Sequence, residues 1–289
     1  MKKLSVILLA ALLLICTGCS SADGHTNVSN PKEAVITVGS HDYTREAFYQ
    51  GMIASNGDSM IIQKLVSMIY ADKVNEDDSE VIQKAEDDAN ELLEIAGEYL
   101  SFYLYYYAGV STIDQYKEVM VYYNKLDAIA DLYIDEHFDE LLAENPAKLV
   151  RAIEFYEKEE AEEALTQLKS GADFESVAET GTTYFSTEAF ALTDKNTSDD
   201  TALVSAVKEA EGIGYLDVIS SSDESYYFVV EILDTDVNNF KDDYKDALIN
   251  DAVVSEDVIL PYYAKEGNFK IYDEDMYNSF KENYPAFFE

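Results

Sequence analysis

The chain has 289 residues, 58 of them acidic and 20 basic, for a formal charge of −38. Such a charge repels nucleic acid and excludes it as a partner, while 47% hydrophobic content is enough to build a core. Cys16 and Cys19 are the only cysteines, and His25, His41 and His137 the only histidines, so Cys/His zinc chemistry and a cysteine nucleophile are excluded and neither metal nor cofactor is expected.

In chain order, Lys2 and Lys3 precede an apolar run from Leu4 to Ile15, which Thr17-Gly18-Cys19 closes. The run is about a dozen residues, short of the ~20 that a bilayer-spanning helix needs, so it reads as the core of an export signal. It resembles a bacterial lipoprotein signal, with 1–18 the signal peptide and Cys19 the lipidated N-terminus, although Cys16 stands where that signal usually has Leu. The resemblance implies a lipid-anchored protein at the outer face of the bacterial cytoplasmic membrane. Cleavage would remove Cys16, Lys2 and Lys3, leaving no free thiol and a charge of −40. That acidity fits either solubility or attraction for basic, unfolded clients, and both readings stay open.

Residues 19–32 are polar and aperiodic, a flexible tether. Ala34 to Gly39 reads as a short strand and turn. Thr44 is an N-cap for a helix carrying Ala47, Phe48 and Met52, which Asn56-Gly57-Asp58 is expected to break. Ile61, Leu65, Met68 and Ile69 form the apolar stripe of a second helix. Asp77-Asp78-Ser79 starts a long helix that ends at Gly109, and Ser111-Thr112 caps another reaching about Asn145. Asn145-Pro146 marks a boundary. Beyond it the pattern gives a strand at Leu149–Phe155, a helix from Lys158 closed by Gly171, a helical turn from Asp173 and an irregular stretch through 187–201. A helix over Ala202–Ala210 follows, then the strongest strand, Ser225–Leu233. From Phe240 the chain is helical again, with Pro261 expected to kink it.

A helical segment, an α+β insert and returning helices resemble the PrsA/SurA type of extracytoplasmic foldase, whose parvulin-like domain is inserted into a helical chaperone domain. AVITVGSHDYTREAFYQGM and MIIQKLVSMIYADKV match its N-terminal part, AEEALTQLKSGADFESVAE and YYFVVEILD its parvulin domain, and FKDDYKDALINDAVV and GNFKIYDEDMYNSF its closing helices. The fold class implied is α+β, with a helical chaperone-like domain over 33–146 plus 236–289 and a parvulin-like domain over 147–235. The implied partners are unfolded or nascent secreted proteins and, through the lipid, the membrane; formation of a homodimer is left open.

Parvulins place a His on their first strand and another on their last, and these positions fall on Ala152 and on Tyr227 or Phe228. The resemblance therefore implies a degenerate domain, catalytically weak or inactive, with no catalytic residue to name. An active peptidyl-prolyl cis-trans isomerase with a diverged pocket is the alternative, and a non-chaperone structural or binding lipoprotein is the third reading. Tyr184, Phe185 and Tyr227 are candidates for an apolar peptide cleft, or else ordinary core aromatics. Phe102, Tyr103, Tyr106 and Tyr107 belong to five aromatics within 102–107, more than one buried stripe accepts. They serve peptide binding, or plug a helical core with their hydroxyls reaching solvent. Asp234-Thr235-Asp236-Val237-Asn238 begins like a calcium loop, but Asn239 and Lys245 stand where that loop needs Gly and Glu. The paired aspartates, such as Asp77-Asp78 and Asp199-Asp200, diverge on a helix and read as solvated surface.

Overall fold

Short-range chemistry sets the first elements of the computed structural model, which describes residues 28–38, 40–182, 188–196 and 199–289. The signal segment with Cys16 and Cys19, and also Tyr184 and Phe185, lie outside the described residues. Strands β1 (Ala34–Val38) and β2 (His41–Thr44) pair antiparallel, with Thr37 Oγ1 donating to Asp42 Oδ1 at 2.7 Å. Thr44 then caps α1 (Arg45–Ile69), its Oγ1 accepting from the Ala47 N–H at 3.3 Å.

The described chain divides into two compact units, one of residues up to Leu126 with Leu260–Glu289, the other of Asp127–Ile259. In the first unit, α1 does not break at Asn56-Gly57-Asp58. Gly57 is buried, and Asp58 Oδ2 accepts from Asn283 Nδ2 at 2.6 Å and Ser279 Oγ at 3.2 Å on the C-terminal helix. Those tertiary bonds outweigh the roughly 1 kcal/mol that a mid-helix glycine costs. Helix α1 runs on through a π turn, Tyr70–Val74, and α2 (Ser79–Ala96) buries Val81, Ala85, Ala89 and Ala96. The long helix expected to reach Gly109 instead stops at Gly97, whose φ of +50° is left-handed, and a 3-10 turn leads into a separate α3 (Leu100–Tyr106). Thr112 caps α4 (Ile113–Glu136), accepting from the Gln115 N–H. The buried Lys125 and Asn124 of α4 tie it to α2: Lys125 Nζ is 2.6 Å from Asp78 Oδ2, and Asn124 accepts from Lys84 Nζ and donates to the Val81 carbonyl.

In the second unit the helix expected to reach Asn145 is interrupted at His137 and resumes as α5 (Phe138–Glu144). The sheet follows. β3 (Ala147–Phe155) and β7 (Tyr227–Asp234) form its antiparallel centre, β4 (Phe190–Thr193) flanks β3, and the short β5 (Gly214–Tyr215) and β6 (Ile219–Ser220) pair with β7. Strand β4 corrects the reading of 187–201 as wholly irregular; four residues with one partner strand are too short for alternation to reveal. Two apolar clusters line opposite faces. α8 (Thr201–Glu209) covers Val150, Ala152, Phe228 and Val230, while α6 (Lys158–Lys169) and α7 (Phe174–Ala178) cover Ile153, Phe155 and Val229. Gly181 is required where the chain leaves α7, since a Cβ there would sit 2.5 Å from Ile153 Cγ2 and 2.9 Å from the Glu154 carbonyl.

After β7, Asp234 and Asp236 are used locally. Asp236 caps a 3-10 turn over Val237–Asn239, and Asp234 accepts from the Asp236 N–H and Asn239 Nδ2. α9 (Lys241–Asn250) is closed by the turn at Ala252, whose φ is +55°, so the stretch read as one helix is two, and α10 (Glu256–Glu266) continues through Pro261. α9 and α5 are joined by the fully buried Tyr244, whose hydroxyl donates to the Asn145 carbonyl at 3.1 Å. The chain closes with α11 (Glu274–Asn283), capped by Asp273. The architecture is α+β.

Candidate functional site

Two places answer to the candidate residues, and each is set by a strand or helix already described. The first is the α8-facing side of the sheet. Alternation along β3 puts Ala152 and Glu154 on one face, and the register pairs Ala152 with Val230 and Glu154 with Phe228. Ala152 and Phe228 therefore share that face, and both belong to the cluster under α8. Tyr227 points the other way, half-buried against the α6–α7 cluster. Of the two residues weighed for the last strand, Phe228 is the one grouped with Ala152.

Ala152 is 0% exposed and Phe228 3%. The polar group beside them is the Glu154 carboxylate, which already accepts from Thr182 Oγ1 at 2.6 Å. Beyond the strand ends, Tyr226 packs against this cluster and its ring centroid lies 5.5 Å from that of Tyr156, which is half exposed. The sequence reading missed this pair; two tyrosines flanking the ends of the two best strand segments were the available signal. Arg151, on the opposite face, is held by Glu231 at 2.7 Å and stacks 3.8 Å from the Phe174 ring centroid, so it is part of the packing there.

The second place is α3. It is too short to carry a full apolar stripe, and Leu104 is its buried residue. Phe102, Tyr103, Tyr105, Tyr106 and Tyr107 are all exposed, from 40% at Tyr103 to 75% at Tyr107, and Tyr99 stands exposed just before them. The rings lie against one another: Phe102 and Tyr106 at 4.5 Å, Tyr103 and Tyr107 stacked at 5.4 Å, Tyr105 and Tyr106 edge-on at 5.1 Å. Tyr103 and Tyr107 form one wall of a groove of about 340 Å³, and Tyr116, Met120 and Tyr123 of α4 form another. Burial, and then the charges of Asp88 and Glu91, raise the Tyr116 phenol above its ordinary pKa, so it stays a neutral donor. The surface is aromatic, with phenol hydroxyls as its polar tips. It can hold apolar or aromatic side chains.

A third cleft, of about 370 Å³, is acidic, lined by Asp199, Asp243, Asp246 and Asp251. Asp251 is occupied by Thr193 Oγ1 at 2.6 Å and Asn196 Nδ2 at 2.7 Å. Burial, reinforced by the Asp251 charge, raises the pKa of Asp199. Among the described residues no group of three or more His, Cys, Asp or Glu is arranged to hold a metal ion, and no helix is long and apolar enough to cross a membrane. Asp200, next to Asp199, has a local role: it caps α8 through the Ala202 and Leu203 N–H groups and accepts from the Ser222 N–H. His137 sits where α4 gives way to α5, its ring 4.5 Å from that of Tyr133.

The chain matches no protein-family model, and no curated protein matches it. Solved structures do. It is similar to the foldase protein PrsA from Streptococcus pneumoniae, at 18% identity, covering 86% of this chain and 99% of that one with a TM-score of 0.50. PrsA from Lactococcus lactis matches at 18% identity over 87% and 99% of the two chains, TM-score 0.48. The peptidylprolyl isomerase PrsA from Bacillus cereus matches at 19% over 88% and 99%, TM-score 0.44. The likeness is one of fold, and it agrees with the resemblance read from the sequence: the chain is PrsA-like in architecture.

Proposed function

We propose that this protein is a lipid-anchored extracytoplasmic foldase of the holding kind, which binds unfolded secreted chains on the aromatic surface of α3 while its parvulin-like domain contributes little or no isomerase activity. The observation that carries the reading is the run of six exposed rings from Tyr99 to Tyr107. Contiguous exposed apolar surface on a soluble unit marks an interaction site, and tyrosine gives large contact area at low rotamer cost. Weak binding to unfolded chains competes with their aggregation and leaves their final fold unchanged. The acidic charge, −40 once residues 1–18 are removed, keeps the loaded complex in solution.

Catalysis of prolyl rotation must lower a barrier of ~18–20 kcal/mol, which requires groups that grip a twisted imide. The closed apolar cluster at Ala152 and Phe228 supports the inactive reading. The anchor and the extracytoplasmic location rest on the signal-like residues 1–19.

The test is aggregation of an unrelated denatured substrate, followed by light scattering with and without the protein. Suppression is expected from the parent and should fall severalfold in a Y103S/Y106S/Y107S variant whose melting is unchanged. Undiminished suppression by that variant would remove α3 from the function, and no suppression by the parent would remove the function itself.

A further inference from the structure

In a chain with nearly three acidic residues for each basic one, a groove whose charged lining is entirely basic stands apart. The second half of α1 and the segment 267–276 enclose an open cavity of about 500 Å³, within the size range of sites that take small ligands or short peptide segments. Its surface is apolar and adaptable: Met60 and Met68 from α1, Met276 from α11, and Phe269 and Ile271 between them. Methionine side chains repack around differently shaped partners, which suits a site without a fixed ligand shape.

Lys64 enters from the α1 wall and Lys270 from the opposite one, and among the described residues neither has an ion-pair partner. No aspartate or glutamate lines the cavity. Two of the carboxylates that follow Lys270 are engaged elsewhere: Asp273 accepts from the Met276 N–H at 3.0 Å and from the Tyr49 hydroxyl at 3.4 Å, and Asp275 accepts from Gln50 Nε2 at 3.5 Å.

We propose that this groove holds an apolar stretch of an unfolded polypeptide that carries a carboxylate beside it, with the apolar side chains among the methionines and the carboxylate between Lys64 and Lys270. The proposal rests on the client-holding function above and names which segments of a client the protein selects. It also gives the two lysines a task that the overall charge would not suggest. The acidic exterior repels an acid-flanked segment at long range, yet at contact the lysines favour it over a neutral one. Two exposed ion pairs are worth on the order of a fivefold difference in affinity.

Three fluorescent peptides with one shared apolar core, flanked by aspartates, by serines or by lysines, test this by anisotropy on the protein lacking only residues 1–18. The aspartate peptide is expected to bind about fivefold more tightly than the serine peptide, and K64Q/K270Q should erase that preference while M68A weakens both. Salt supplies a second readout. Raising ionic strength from 0.01 to 0.15 M shortens the Debye length from about 30 to about 8 Å, so distant acidic residues are screened while contact pairs persist. The aspartate peptide should then gain on the lysine peptide. Equal binding of the aspartate and serine peptides, or a preference that survives K64Q/K270Q, overturns the proposal while leaving aggregation suppression intact. A concentration-dependent dimer abolished by M68A would assign the groove to a second copy and overturn it as well. Loss of aggregation suppression with the peptide preference retained would instead fall on the client-holding function.

Discussion

The sheet face under α8 and the outer surface of α3 are both rich in apolar and aromatic residues, yet one is closed and the other open. At the sheet, Phe228 and Ala152 meet Val230, Leu203 and Val207, and a nine-residue amphipathic helix covers them all. At α3, seven residues hold four aromatic rings behind a broken helix, and only Leu104 finds cover. Aromatic content therefore does not decide between core and binding surface. What decides is whether a neighbouring element long enough to bury the face exists.

The largest effect should come from placing an imidazole on the closed face. Ala152→His adds volume to a fully packed site and buries ring nitrogens whose nearest carboxylate, Glu154, is already engaged. A loss of roughly 2–5 kcal/mol in urea unfolding is expected, with no gain in a proline-limited refolding assay. A stable variant that acquires catalysis would show that the face opens.

Next in size is an alkaline effect at Tyr244. Burial pushes its phenol up to about 12, against 10.0 unperturbed. Below pH 10 both states keep the proton; between 10 and 12 the unfolded chain loses it first, so stability falls as pH rises. The loss should reach on the order of 2 kcal/mol, on top of smaller contributions of the same sign from Tyr70, Tyr116 and Tyr215. Tyr244→Phe should cost about 1 kcal/mol at pH 7, where the bond to Asn145 is lost, and should flatten that alkaline decline. An unchanged alkaline slope would mean that Tyr244 titrates normally.

The smallest stability effect belongs to the open surface. Y103S/Y106S/Y107S should shift urea unfolding by no more than about 0.5 kcal/mol per site, because little buried area is lost. A larger destabilisation would mean that these rings are cohesive core, and would bring the two regions closer in kind.

Much of the fold was legible where the information is local. Thr44 and Asp173 each announce a helix start by offering a side-chain acceptor to a free N–H. β3 and β7 are long enough, and rich enough in branched and aromatic residues, to declare themselves. Strand β4 is not: Phe190–Thr193 becomes a strand by pairing with Ala147–Val150. The continuity of α1 through Asn56-Gly57-Asp58 was likewise hidden, because the hydrogen bonds that support it come from Ser279 and Asn283, more than two hundred residues away.

The amino-acid order alone determined most of the element types, the α+β class and the excess of rings at 102–107, since each depends on residue identity and short-range periodicity. The tertiary structure alone decided that Phe228 rather than Tyr227 lies on the face of Ala152, that α8 closes that face, and that Lys64 and Lys270 meet across one groove. Those outcomes depend on strand register and on contacts between residues far apart in the chain, which no local pattern encodes.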